Sequence, residues 1–167
     1  MSERHMLSFP VGRSRFNFRV AAVIIANGHV LVSRDNEDDY VMLPGGRVEL
    51  GEPSAPALAR EIEEELGMVG VVGPMLATSE SFYRRNDEDF HEIGFFYHAQ
   101  LPDHAVPDGQ SPWLVREDEG HVLSNFWVPL DEQALRAINL LPGWLPKFLV
   151  DLPSTPVHIV RDERGNR

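Results

Sequence analysis

The chain contains no cysteine in its 167 residues. That removes disulfide frameworks, thiolate zinc centres and cysteine nucleophiles together, and it suits a reducing, cytoplasmic setting. Long apolar runs are missing too: the opening "MSERHMLSFPVGRSRF" is polar, without the apolar core of a secretory signal, and no stretch approaches the length of a membrane span. No internal repeat or low-complexity tract is present. Basic residues are in short supply, with 15 Lys plus Arg against 26 Asp plus Glu and a formal net charge of −11. A field of that sign repels the nucleic-acid backbone, whose binding rests on many Lys and Arg contacts. A polymeric nucleic-acid partner is therefore disfavoured, whereas a small phosphate ligand bridged by cations is not.

What is present is ordinary for a globular chain: 43% hydrophobic and 25% charged residues. The length fits one domain over residues 1–167, with 1–15 and 161–167 expected to be peripheral or frayed. "FRVAAVIIA" (Phe18 to Ala26) reads as a strand buried on both faces. Asn27-Gly28 then predicts a hairpin that returns through His29 to Arg34. An exposed acidic loop follows over Asp35 to Tyr40, and "VMLPGGRVEL" reads as a short strand broken by Pro44-Gly45-Gly46 and resumed at Arg47.

A helix is predicted from Ser54 to Leu66, with Ser54 as N-cap, Pro56 in the first turn and Gly67 as the stop. Beyond it, Gly70 to Tyr83 and His91 to Leu101 read as strands around a mobile charged loop, "RRNDEDF". A Pro-, Asp- and Gly-rich loop spans residues 102–120, a strand spans Leu123 to Leu130, and two helical stretches limited by prolines follow. The irregular order suggests a mixed sheet carrying helices. The seven histidines show no metal-type spacing, and Phe95, Phe96, Trp113, Trp127 and Trp144 are expected in the core.

The predicted helix concentrates acid. At about 100° per residue, Glu61, Glu64 and Glu65 fall in one sector beside an apolar stripe of Ala55, Leu58, Ala59, Ile62 and Leu66. Like charges at such spacings cost about 0.2–0.5 kcal/mol per pair. Between Glu52 and Gly67 the only basic residue is Arg60, which is expected to project away from the cluster and pair with Glu52. Clustered hard oxygens are what Mg²⁺ or Mn²⁺ requires, and a divalent cation turns this repulsion into attraction. Gly45 and Gly46 leave their backbone open to a metal or a phosphate.

Gly46, five residues, Glu52, seven residues and then "REIEEELGM" (Arg60 to Met68) resembles the Nudix box of the Nudix hydrolase family at every defining position. "LPGG" before it and "WVPLDE" (Trp127 to Glu132) after it add to the likeness. The resemblance implies an α/β/α sandwich around a mixed sheet, with the box as a loop–helix–loop. It implies Mg²⁺- or Mn²⁺-dependent pyrophosphohydrolysis of a nucleoside diphosphate linked to another moiety, such as a nucleotide sugar like ADP-ribose, or of a nucleoside triphosphate. Glu61, Glu64 and Glu65 would be metal-ligand or base positions, the Gly46 carbonyl a further ligand, and Glu52 and Arg60 structural.

The catalytic base is either Glu64 or an acid outside the box, where Glu80, Glu92 and Glu119 are candidates and Glu92 is favoured as the start of a strand after a mobile loop. Arg34, Arg47, Arg84 and Arg85 are the candidates to grip phosphate. Many relatives carry an aromatic, commonly Trp, two residues before Leu-Pro-Gly-Gly; here Val41 stands there, with Tyr40, Phe82, Tyr83 and Phe90 as replacements. The missing cysteine argues against the isopentenyl diphosphate isomerase branch. A different class of function, an inactive nucleotide-sensing module, would be expected to lose box glutamates and gain a DNA-binding domain, and neither is seen. The expected partner is a small nucleoside diphosphate derivative, with no membrane partner; a homodimer is compatible with the sequence.

Overall fold

The computed structural model describes residues 4–36, 38–103, 113–118 and 120–165. In chain order its elements are β1 (Ser8–Val11), β2 (Ser14–Val23), β3 (Ile25–Ala26), β4 (His29–Asp35), β5 (Gly45–Arg47), α1 (Ser54–Leu66), β6 (Val71–Arg85), β7 (Glu88–Gln100), β8 (Leu114–Asp118), β9 (His121–Pro129), α2 (Glu132–Ala137), α3 (Leu145–Val150) and β10 (Val157–Asp162).

The larger sheet runs β1-β2-β7-β6-β10, with β5 also paired to β2, and the smaller runs β3-β4-β9-β8. β2 lies parallel to β7 and β10 parallel to β6, while the other pairings are antiparallel, so the larger sheet is mixed, as expected.

Alternation along β2 explains how one strand serves two cores. Val20 and Ala22 pack with Leu58, Ile62 and Leu66 of α1, while Ala21 and Val23 pack with Leu135 of α2 and Leu145 and Leu149 of α3. Successive side chains point to opposite faces, so an apolar run without polar alternation demands cover on both sides. The result is helices on both faces of the sheet. Phe96, Trp127 and Trp144 are buried, as expected for core aromatics. The Asn27-Gly28 hairpin forms with both residues at positive φ, 50° and 71°, joining β3 to β4.

Several expectations are corrected. The break expected at Pro44-Gly45-Gly46 is confined to Leu43-Pro44, because Gly45 and Gly46 are themselves paired with Ala21 and Val20. "RRNDEDF" is no mobile loop: β6 and β7 pair through Arg85 and Glu88, and the connection shrinks to Asn86 and Asp87, both at positive φ. Glu92 is therefore inside β7 and not at its start. Residues 8–11 form an edge strand, and Asp162 still pairs with Phe82, so the ends are more ordered than expected. Part of the loop expected over 102–120 is the strand β8, while residues 104–112 of that span lie outside the described residues.

Candidate active site

The site starts at β5, the short strand on the edge of β2. Gly45 has φ 143°, and a Cβ there would stand 2.1 Å from the Val20 carbonyl oxygen, so only glycine can pair this tightly. Its N–H donates to Glu65 Oε2 at 2.9 Å. At Gly46 a Cβ would stand 2.3 Å from Glu61 Oε2. The paired glycines thus let two carboxylates of α1 press directly on backbone.

α1 has the predicted bounds, but Ser54 is its first residue and not its cap; Pro53 is the N-cap and makes no side-chain cap bond. The Ser54 hydroxyl is instead 2.7 Å from the Tyr97 hydroxyl, which ties the start of the helix to β7. Gly67 ends the helix at φ 66°.

The three glutamates are graded by depth. Glu61 is buried, Glu65 is half-buried with its carboxylate against the Gly45 N–H, and Glu64 is exposed. Burial raises the Glu61 carboxyl above its ordinary value, against the opposing pull of Arg60. Burial pushes Glu65 up to about 8, with the Gly45 N–H and Arg19 opposing.

Arg60 does not project away from the cluster. Its guanidinium donates to Glu52 at 2.9 and 3.0 Å, and also to Glu61 at 2.8 Å and Glu64 at 3.1 Å. It also donates to the Arg47 carbonyl at 3.2 Å. The long side chain bends back over its own helix, because four carboxylates within reach, Glu49 at 3.8 Å being the fourth, outweigh the single one expected. Hydrogen bonding to Arg60 holds Glu52 below the usual carboxylate range. Arg4 reaches the same ridge, 2.9 Å from Glu64 and 3.3 Å from Glu49.

Arg19 is the residue that sequence reasoning missed. Its guanidinium donates to the carbonyls of Leu43 and Gly45, both at 3.3 Å, and its charge acts on Glu61, Glu65 and Tyr83. An arginine inside an otherwise apolar strand was the available signal.

Next to Arg19 along β2 the sheet face turns polar. Asn17 lies opposite Glu92, which lies opposite Ser81, which lies opposite Arg161. Ser81, Glu92 and Arg161 of this row floor a cavity of about 430 Å³ whose walls include Tyr40, Met42, Asn139 and Leu141. Glu92 accepts from the Tyr83 hydroxyl at 3.0 Å and from Asn17 Nδ2 at 3.4 Å. Burial raises the Tyr83 hydroxyl above its ordinary value, and the neighbouring Glu92 adds to this.

Of the arginines considered for phosphate, Arg84 and Arg85 line the cavity, Arg84 held by Asp89 at 2.9 Å and Arg85 by Asp38 at 3.7 Å and the face of Tyr40. Arg34 instead lies over the ring of Phe126, and Arg47 is exposed at the end of β5. Tyr40, Phe82 and Tyr83 line the cavity, and Phe90 stacks on Tyr83 at 4.9 Å. Glu80 pairs with His158 at 2.9 Å, one residue out of phase with Ser81 and so on the opposite sheet face. Glu119 lies outside the described residues.

A family comparison decides what this arrangement is: the NUDIX domain profile matches residues 16–148, most of the chain. The chain belongs to the Nudix family. No curated protein matches the chain. Among solved structures, a NUDIX hydrolase from Nitrosomonas europaea is 16% identical, with TM-score 0.58, covering 87% of this chain and 78% of that one. A MutT protein from Methanosarcina mazei Go1 is 23% identical, with TM-score 0.56 and coverage of 84% and 94%. An ADP-ribose pyrophosphatase from Streptococcus suis is 13% identical, with TM-score 0.55 and coverage of 87% and 98%. At these identities the likeness establishes the shared Nudix fold. No helix among the described residues is long and apolar enough to cross a membrane.

Proposed function

We propose that this Nudix hydrolase cleaves the diphosphate of a nucleoside diphosphate linked to another moiety, with Mg²⁺ or Mn²⁺ held by the α1 ridge. The observation that carries the reading is the pressing of Glu61 and Glu65 onto the Gly45-Gly46 backbone, with Glu64 beside them on the same helix. The donor set fits a hard cation: it consists of carboxylate oxygens and a backbone carbonyl, with no sulfur. Among the described residues no three acidic or histidine side chains already converge as a metal site. Arg60 and Arg4 hold the carboxylates in its place.

Glu61, Glu64, Glu65 and the Gly46 carbonyl would hold the ion. Once bound, a divalent cation neutralises charge on the diphosphate and acidifies water for attack on phosphorus. Arg60 and Glu52 fix the helix to the loop before it, so only the ends of the Glu61 and Glu64 side chains would have to turn from arginine to the ion. Arg19 pins the Leu43 and Gly45 carbonyls and so sets the floor on which the diphosphate lies. Glu64, the exposed member, would take the proton of the water once released from Arg60 and Arg4.

The test is a nucleotide panel with Mg²⁺ or Mn²⁺ read by mononucleotide or phosphate release, run beside Glu64→Gln and Glu65→Gln. Each variant should fold and lose at least about a hundredfold in turnover. Near-normal rates at saturating Mg²⁺ would refute the assignment, and silence of the unaltered protein across the panel would favour a nucleotide-binding module.

A further inference from the structure

We propose that the cavity beside Arg19 receives the uncharged organic group on one side of the diphosphate, and that Glu92 selects this group by accepting hydrogen bonds from its hydroxyl or N–H donors. The inference rests on the reading above for the diphosphate and adds what stands next to it. Glu92 pairs with Asn17 across the strands, two residues along β2 from Arg19, so its backbone stands diagonally across the strand pair, about 7–8 Å from that of Arg19. A group attached to a phosphate held at the Arg19 end would extend toward it.

The carboxylate is prearranged for this task. Among the described residues both of its hydrogen bonds, from Tyr83 and Asn17, fall on Oε2. Among the described residues Oε1 has no protein hydrogen-bond partner, and Glu92 is part of the cavity lining. Asn17, itself only 4% exposed, is fixed in turn by the Ser8 hydroxyl at 2.6 Å, so the clamp on Glu92 is rigid. A carboxylate held this way offers acceptors only and rewards O–H or N–H donors with charge-assisted bonds.

The surroundings speak against an anionic occupant. Among the described residues the lining carries three carboxylates, Asp39, Glu92 and Glu163, against three guanidiniums, Arg84, Arg85 and Arg161. Arg84 and Arg85 are paired with Asp89 and Asp38, and Arg161 donates to the Val160 carbonyl at 2.9 Å. A phosphate placed against Glu92 would meet a carboxylate whose two hydrogen-bond partners, Tyr83 and Asn17, carry no charge to offset the repulsion. At about 430 Å³ the cavity is within the range of sites that bury a small organic group. This places Glu92 in recognition and not in proton abstraction.

Two donors could come from the same class of ligand, a pentose hydroxyl or a nucleobase N–H, and the experiment separates them. Calorimetry with Mg²⁺ measures binding of AMP, 2′-deoxy-AMP and ribose 5-phosphate to the full chain and to Glu92→Gln, and steady-state kinetics follow on the best substrate of the panel. The expected result is an affinity for AMP about tenfold weaker in Glu92→Gln. KM should rise similarly, with kcat and its pH profile nearly unchanged. If a pentose hydroxyl is the donor, ribose 5-phosphate weakens with AMP, and any deficit of 2′-deoxy-AMP relative to AMP vanishes in the variant. If a base N–H is the donor, ribose 5-phosphate is unaffected.

Tyr83→Phe, which loosens the clamp without touching the carboxylate, should give a smaller rise of KM in the same direction. A fall of kcat in Glu92→Gln with unchanged KM and a lost basic group in the pH profile would make Glu92 the proton acceptor and overturn the proposal. So would unchanged binding of all three ligands. A protein that binds AMP through Glu92 yet hydrolyses nothing would sink the hydrolase reading and leave this one supported.

Discussion

At the scale of single residues, Gly45 and Gly46 stand side by side and should fail in different ways. A Cβ at Gly45 would meet the backbone carbonyl of Val20 at 2.1 Å, and φ 143° is closed to other residues, so Gly45→Ala must move β5 off β2. Strain of this kind costs about 1–3 kcal/mol, and urea unfolding should show at least that loss. A Cβ at Gly46 would meet the end of the Glu61 side chain, which can swing. Gly46→Ala should therefore lose less stability than Gly45→Ala while turnover falls about tenfold or more, each tenfold being about 1.4 kcal/mol of barrier. Equal destabilisation of the two variants would show that Glu61 is not free to yield. Tyr83 gives a residue-level prediction about pH. Its hydroxyl is held protonated above its ordinary value of 10, so the native state keeps a proton that the unfolded chain has lost. The stability it contributes is complete below about pH 10 and is lost as pH rises beyond that. Unfolding free energies measured from neutral pH upward should fall less steeply in Tyr83→Phe; parallel curves would remove Tyr83 from the alkaline limb.

At the scale of elements, α1 is latched to the preceding loop by Arg60, which joins Glu52 on the loop to Glu61 and Glu64 on the helix. Removing one partner of a well-buried ion pair costs about 3–5 kcal/mol; this guanidinium is 17% exposed, which moves the expectation for Arg60→Ala toward the lower end. Arg60→Lys keeps the charge but not the fork and should recover only part. Thermal melts that place Lys and Ala together would show that geometry matters more than charge, and a melt of Ala equal to the parent would remove the latch altogether. This helix was the most legible element of the sequence: its apolar stripe repeats at the helical period, and Gly67 ends it where expected. The direction of Arg60 was legible too, since Arg60 and Glu64 are four residues apart on one helix face, but the loop partner Glu52 drew the whole guanidinium in the reading. Local pattern did not show β8 and β10, which lie at sheet edges, β10 paired in parallel with a segment some 80 residues away. The charged stretch Arg84 to Phe90 looked like a loop because its ion pair between Arg84 and Asp89 forms across the hairpin, which only the register reveals. Glu61, Glu64 and Glu65 could be found from spacing alone, whereas Arg19 and the Asn17–Glu92–Ser81 row come together only through pairing of distant strands.

At the scale of the whole molecule, the net charge of −11 means that any cation stabilises the fold to some degree, which makes a bare rise of melting temperature in MgCl₂ uninformative. The general and the specific effects have different shapes. Screening of dispersed charge depends on ionic strength and is shared by NaCl, while binding at one site follows RT ln(1 + [L]/Kd), about 2.7 kcal/mol at a hundred times Kd, and depends on the identity of the ion. At constant ionic strength, replacing NaCl by MgCl₂ or MnCl₂ should therefore still raise the melting temperature. The rise should persist to concentrations where screening has levelled off, and Mn²⁺ and Mg²⁺ should differ in the concentration at which it sets in. Glu65→Gln changes the formal net charge of −11 by at most one and so barely alters the general field, yet it takes away the carboxylate that accepts from the Gly45 N–H. In that variant the part common to NaCl should survive and the ion-specific part should be lost. A parent and variant with superimposable divalent responses would assign the cation effect to the surface as a whole and leave the α1 ridge without a metal.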